Sequence, residues 1–263
     1  MQKSGPRGGS FFRTVLKQAV ESGVPFLVGG GYAMKRHTGL ARPARDLDLF
    51  IAPADVDRML RHFAGLGYEV DLTFPHWLGK IYMGRSYVDV IFSSGNGLVT
   101  VDPTWFEHAI DDVVLGQSVK ICPAEEMVWS KAFIMERERY DGADVNHLIL
   151  ARGRDMDWER LLERFRPHPL VLLSHLTLFL FVYPAQSGVI PERVWTELLD
   201  RLDEERRNPT AAGLVCRGPL LSRSQYLEAL QRGYPDPRLK PEGNMRRSDV
   251  AIWTKAAAQE NQG

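Results

Sequence analysis

The sequence predicts an α+β protein in two parts: an N-terminal mixed β-sheet flanked by helices, then a C-terminal helical region. Three observations carry that expectation. Up to about residue 120, short apolar strand-like runs alternate with amphipathic helical ones. From Pro123 onward the apolar spacing is helical. Between them lies "RPARDLDLFI", Arg42 to Ile51, where two aspartates stand one residue apart inside a strand-like run. A carboxylate in such a place is costly unless it has a partner.

Taken in order, "SFFRTVLKQAVESG" is an amphipathic helix that Ser10 caps and Gly23 ends. "PFLVGGG" is a strand running into glycines, and "YAMKRHTG" a short helix closed by Gly39. "RDLDLFI" alternates as a strand. "PADVDRMLRHFAGLG" is a helix with Pro53 in its first turn. "YEVDLTF" is a strand, and "KIYMG" with "SYVDVIFSS" a hairpin. The helical part opens on a long "PAEEMVWSKAFIMERERY", followed by "DVNHLILARG", "DWERLLERF", "PLVLLSHLTLFLFVY" and "PERVWTELLDRLDEERR". The expected divisions are 1–120 (the α/β domain), 121–207 (the helical domain) and 208–263, an irregular tail ending in a short helix near "SDVAIWTKAAAQ".

The 263 residues carry no formal net charge, which does not suggest a strongly basic nucleic-acid binder. The charge is uneven, however. Lys3, Arg7, Arg13, Lys17, Lys35, Arg36, Arg42 and Arg45 precede the aspartates, against the single acid Glu21. Such a field attracts an anionic ligand. Cys122 and Cys216 have no metal-type spacing, which argues against a disulfide framework or a zinc site and for a reducing cytosol. "MQKSGPRGGS" lacks the apolar core of a signal peptide. Leu170 to Tyr183 is too short to span a bilayer and reads as a buried helix. A cytoplasmic protein is the expectation.

Asp-x-Asp occurs three times. Asp55 with Asp57, and Asp155 with Asp157, sit at helix starts, where the helix dipole accounts for them. Asp46 and Asp48 differ. On a strand they share one face, with Leu47 and Leu49 on the other. Oxygen-only ligands so close favour Mg²⁺ or Mn²⁺. Upstream, Gly29, Gly30 and Gly31 end an apolar strand and let backbone approach a phosphate at a helix start. Downstream, Asp89 interrupts the apolar run "YVDVIF" and joins the pair as a third carboxylate if the two strands are neighbours.

This order of glycines, Asp-Leu-Asp and a later strand Asp resembles the nucleotidyltransferase superfamily, the fold shared with DNA polymerase β. "LVGGGYAMKRHTGLARPARDLDLFI" is similar to bacterial stand-alone nucleotidyltransferases, including toxins of type IV toxin–antitoxin pairs. The resemblance runs from Val24 to Phe92, and more loosely over Pro123 to His147. It implies that Asp46, Asp48 and Asp89 are catalytic and hold Mg²⁺, and that Gly29, Gly30 and Gly31 cradle a nucleoside triphosphate. The acceptor hydroxyl would attack the α-phosphorus and pyrophosphate would leave. It also implies a basic residue lent from the second domain, here Lys131, and a K/R-D-x-x-D pattern, here Asp141 with Asp144, although capping of the next helix also accounts for Asp144. For a toxin it implies a cognate antitoxin.

Arg36, Arg42, Arg45 and Lys80 are the remaining candidate phosphate contacts. Trp77 and Tyr82 read as core. The acceptor stays open. An RNA acceptor calls for a positive groove, with Arg217, Arg223, Arg246 and Arg247 as candidates beside the N-terminal cluster. A cationic small molecule, as in antibiotic adenylylation, calls for acids, with Glu125, Glu126, Asp111 and Asp112 as candidates. A non-catalytic nucleotide-binding regulatory module is the alternative from another class.

Overall fold

The structure is a computed structural model that describes residues 7–40, 46–208 and 214–260. It divides into two compact units, Met1–Pro123 and Ala124–Gly263.

The first unit runs α1 (Arg7–Glu21), β1 (Leu27–Val28), α2 (Gly30–Thr38), β2 (Asp48–Phe50), α3 (Val56–Gly65), β3 (Glu69–Phe74), β4 (Leu78–Met83), β5 (Ser86–Ile91), α4 (Pro103–Glu107), β6 (Ile110–Val114) and β7 (Gln117–Ile121). The seven strands form one mixed sheet in the order β3-β4-β5-β2-β1-β7-β6. The pairs β2·β5 and β1·β7 are parallel, and the other pairs are antiparallel.

Helix α1 buries Phe11, Phe12, Val15, Leu16 and Ala19, one stripe at helical spacing. It begins ahead of Ser10, so Ser10 is interior rather than the cap, and its carbonyl accepts from Thr14 Oγ1 at 3.0 Å. Helix α2 ends as expected: Gly39 takes the left-handed conformation, φ 70°, and its N–H donates to the Lys35 carbonyl. Leu47 and Leu49 are fully buried. On that face α3 meets the sheet, with Leu60 side-chain carbons 3.3 Å from where a Cβ on Gly79 would lie.

Two strands, β6 and β7, go beyond those the sequence predicts. Val114↔Gln117 pairing leaves a two-residue turn, Leu115–Gly116, between β6 and β7. Both turn residues have positive φ, 50° and 83°, as a primed hairpin turn requires. Leucine is an unusual residue there, so the dipeptide gives no turn signal in sequence.

The second unit contains α5 (Ala124–Ala132), α6 (Gly142–Arg152), α7 (Trp158–Phe165), α8 (Pro169–Val182), α9 (Glu192–Arg207), α10 (Leu227–Gln231) and α11 (Arg247–Glu260). The expected long first helix stops at Ala132. Its continuation folds back on itself, with a Met135↔Tyr140 bridge and the Glu136 N–H donating to the Arg139 carbonyl at 2.8 Å. Helix α8 is buried on one face only. Leu172, Leu173, Leu176 and Phe179 are core, whereas Phe181 is 83% exposed. The C-terminal segment is more ordered than expected: α11 has 14 residues. Glu136 accepts from Ser222 Oγ at 2.7 Å and from the Arg223 N–H at 3.1 Å, pinning the segment inside its unit. Among the described residues, no helix is long and apolar enough to cross a membrane.

Candidate functional site

The sheet register assembles the site. Asp48 on β2 lies directly opposite Asp89 on β5, and Asp89 lies opposite Lys80 on β4. Directly opposed residues project from the same face. Beyond Asp48, the Gly29 N–H donates to the Asp48 carbonyl at 3.0 Å. Glycine, two aspartates and a lysine thus form one row across four neighbouring chain segments. The expectation that Asp89's strand adjoins the Asp-Leu-Asp strand holds in this register.

Asp46 lies outside the regular strand. β2 spans only Asp48–Phe50, and Asp46 sits exposed in a bend before it. On the other side of β2, β1 has two residues, which pair with Leu49 and Phe50 before the chain turns into α2. Asp46 is still electrostatically part of the site. Burial pushes the Asp89 carboxyl above its ordinary pKa, and the Asp46 charge pushes it further, against the lowering effect of Lys80. Burial and the same Asp46 charge raise the phenol of Tyr32 in the first turn of α2. The sequence reading had no signal for Tyr32, because only the fold brings that turn beside Asp46.

The glycines have distinct tasks. Gly30 has φ 51°, and a Cβ there would lie 1.7 Å from Asp48 Oδ2. A Cβ on Gly29 would lie 2.2 Å from the Phe50 ring, itself stacked on Trp105. Gly31 lies within α2. Ala33 makes the first bond of the helix, to the Gly29 carbonyl at 3.1 Å. The N–H groups of the turn before it have no partner within the helix and form a ready anion site.

Lys80 Nζ donates to Asp89 Oδ1 at 2.6 Å and lies 3.7 Å from the centroid of the Tyr87 ring. Arg36 is half-exposed and pairs with Asp112 at 3.4 Å. Arg42 and Arg45 lie outside the described residues. In the second unit Lys131 is held between Asp141 at 2.8 Å and Asp144 at 2.9 Å. Burial acts to raise the Asp141 carboxyl, but Arg139 and Lys131 outweigh it and hold it at about 2.

Several acceptor-binding candidates are engaged elsewhere. Glu125 pairs with Arg160 and accepts the Asp157 N–H, while the fully buried Glu126 accepts from Arg164. Neither offers a charge to a ligand, because each balances a buried guanidinium. Arg223 is likewise buried against Glu136 and the Trp253 ring. Asp157 caps α7 through the Arg160 N–H, as its position suggested.

Among the described residues, no group of three His, Cys, Asp or Glu side chains is arranged to hold a metal ion. Of the expected three acids, Asp89 is engaged by Lys80 at 2.6 Å and Asp46 lies in the bend before β2. The donor set nevertheless fits a hard divalent cation. Asp48 and Asp89 face each other across one strand spacing, Gly30 leaves room for Asp48 Oδ2, and the Asp46 charge bears on both Asp89 and Tyr32.

No family model and no curated protein matches the chain. Among solved structures it is similar to the antibiotic-resistance factor ANT(2″)-Ia in solution, at 16% identity and TM-score 0.43, over 64% of this chain and 97% of that one. It is similar to ANT(2″)-Ia in complex with adenylyl-2″-tobramycin, at 18% identity and TM-score 0.39, over 61% and 98% of the two chains. JHP933 from Helicobacter pylori aligns at 12% identity and TM-score 0.35, over 80% and 99%. These are likenesses of outline at low identity.

Proposed function

We propose that this protein is a divalent-cation-dependent nucleotidyltransferase, moving a nucleoside monophosphate from an NTP to an acceptor hydroxyl with release of pyrophosphate. The observation that carries the reading is the row from Gly29 through Asp48 and Asp89 to Lys80, set beside the start of α2. Backbone donors for an anion and carboxylates for a cation meet on the central strands of the sheet, which is what a triphosphate with its counter-ions needs.

Asp48 and Asp89, with Asp46 at the rim, would hold Mg²⁺ or Mn²⁺. When bound, that cation supplies neutralisation of phosphate charge. The turn at Gly29–Gly31 binds phosphate oxygens, and Gly30 keeps Asp48 in place. The acceptor oxygen forms its bond to the α-phosphorus as the bond to the bridging oxygen breaks, and pyrophosphate carries the charge away. Asp89, inside the row, would help activate the acceptor hydroxyl. The protein's contribution is chiefly position and charge.

The acceptor class remains RNA, protein or a small molecule. A toxin with a cognate antitoxin, and a small-molecule adenylyltransferase, are both compatible with this site. Calorimetry of NTP binding with and without Mg²⁺ tests the reading. Cation-dependent binding that is lost in Asp48→Asn supports it. Binding indifferent to Mg²⁺ and to that substitution points instead to a non-catalytic regulatory module.

A further inference from the structure

The carboxylate row already contains a cation of the protein's own. Lys80 and Asp89 are largely buried, 16% and 18% exposed at their side chains, and are in contact at 2.6 Å. The same ammonium rests 3.7 Å from the Tyr87 ring centroid, a second favourable seat for a cation. On its other side Lys80 faces Asp71 across β3 and β4. Asp46, Asp48 and Asp89 together with Lys80 leave two negative charges, the charge of one divalent cation. A metal ion drawn to Asp89 and an ammonium hydrogen-bonded to it repel each other at close range. Lysine suits exchange: its charge is a compact point on a flexible stem, with three rotatable donors.

We propose that Lys80 is an exchangeable counter-ion. It neutralises Asp89 while the site holds no nucleotide, yields that carboxylate to the divalent cation, and turns its ammonium to the incoming phosphates. The inference rests on the nucleotidyl-transfer reading above and adds a coupling to it. A cation alone must displace Lys80 from Asp89 and binds weakly. A nucleotide gives the displaced ammonium a new partner, so cation and nucleotide favour each other's binding.

The test is Mn²⁺ titration of the full chain without nucleotide, for wild type, Lys80→Met, Lys80→Gln and Asp89→Asn. Removing the ammonium is expected to tighten Mn²⁺ binding about tenfold, and to weaken the mutual enhancement between Mn²⁺ and a non-hydrolysable NTP. Unchanged or weaker Mn²⁺ affinity in both Lys80 variants would overturn the inference while leaving the metal-site reading intact. Asp89→Asn binding Mn²⁺ as tightly as wild type would overturn both. In the unmodified protein, the Lys80 ammonium resonance is expected to move when Mg²⁺ is added. A resonance that stays fixed at Mg²⁺ saturation refutes exchange without recourse to any variant.

Discussion

Replacing Gly30 by alanine separates the backbone's contribution from the site's. The new Cβ would stand 1.7 Å from Asp48 Oδ2, at a φ of 51°. The backbone cost of that conformation for an L-residue is about 1–2 kcal/mol. In a chain of this size that lowers Tm by roughly 2–8 °C. The larger effect is local. To reach contact distance the carboxylate must retreat by more than about 1 Å, and a misplacement of that order costs about 100-fold in rate. Gly39→Ala is the control, at the other end of the same helix. Its φ is 70°, so the backbone cost is similar, but nothing lies within 4 Å of the added Cβ. Thermal melts and NTP turnover on both variants make the comparison. Similar loss of Tm is expected, with about 100-fold loss of turnover in Gly30→Ala and less than about twofold in Gly39→Ala. Equal turnover in the two variants would refute the claim that Gly30 exists to seat Asp48.

Other substitutions read the charges. Burial raises the Asp89 pKa against the lowering effect of Lys80, so ionising it costs more in the folded than in the unfolded chain; the stability this gives is present at low pH and lost as pH rises through the raised value. Asp89→Asn keeps the neutral form but leaves the largely buried Lys80 ammonium without its carboxylate, so it is expected to melt below wild type at neutral pH, to lose turnover, and to melt closer to wild type in acid, where Asp89 itself is protonated. Asp141 is held at about 2 against an ordinary 3.8, so Asp141→Asn is expected to cost up to about 2 kcal/mol above pH 4, vanishing below pH 2, by denaturant titration. His168 is lowered to about 4 from 6.5, by burial and then by the Arg217 charge. Stability is accordingly expected to fall by up to about 3 kcal/mol as pH drops from 6.5 to 4, and His168→Gln to flatten that slope.

What could be read in the sequence was what local chemistry determines. The turn at Gly29–Gly31, the closure of α2 at Gly39 and the burial of Leu47 and Leu49 each follow from residue type and spacing. Asp89's place beside Asp48 needed only the inference that two apolar strands are neighbours. The misses are non-local. Leu115 turns a hairpin at positive φ that its side chain disfavours, so β6 and β7 left no mark. Asp46 lies in a bend ahead of β2, which spans only Asp48–Phe50, and Asp-x-Asp spacing alone does not show where a strand begins. Glu125 and Glu126 looked available because the arginines that neutralise them lie on α7, more than thirty residues away in sequence. From sequence alone Lys80 is a candidate phosphate contact. Its pairing with Asp89 depends on a hairpin register that composition does not reveal.

Asp48 and Asp89 are proposed to serve transfer of a nucleotidyl group rather than of a phosphoryl group. The direct measurement supplies each NTP, labelled at the α- or the γ-phosphorus, with Mg²⁺ and cellular RNA, protein and small-molecule fractions. The protein with Asp46→Ala and Asp48→Ala runs alongside. The expected result is α-label entering one fraction with the intact protein only, and γ-label leaving as pyrophosphate. Transfer of γ-label to an acceptor, or α-label transfer that survives the double substitution, would contradict it.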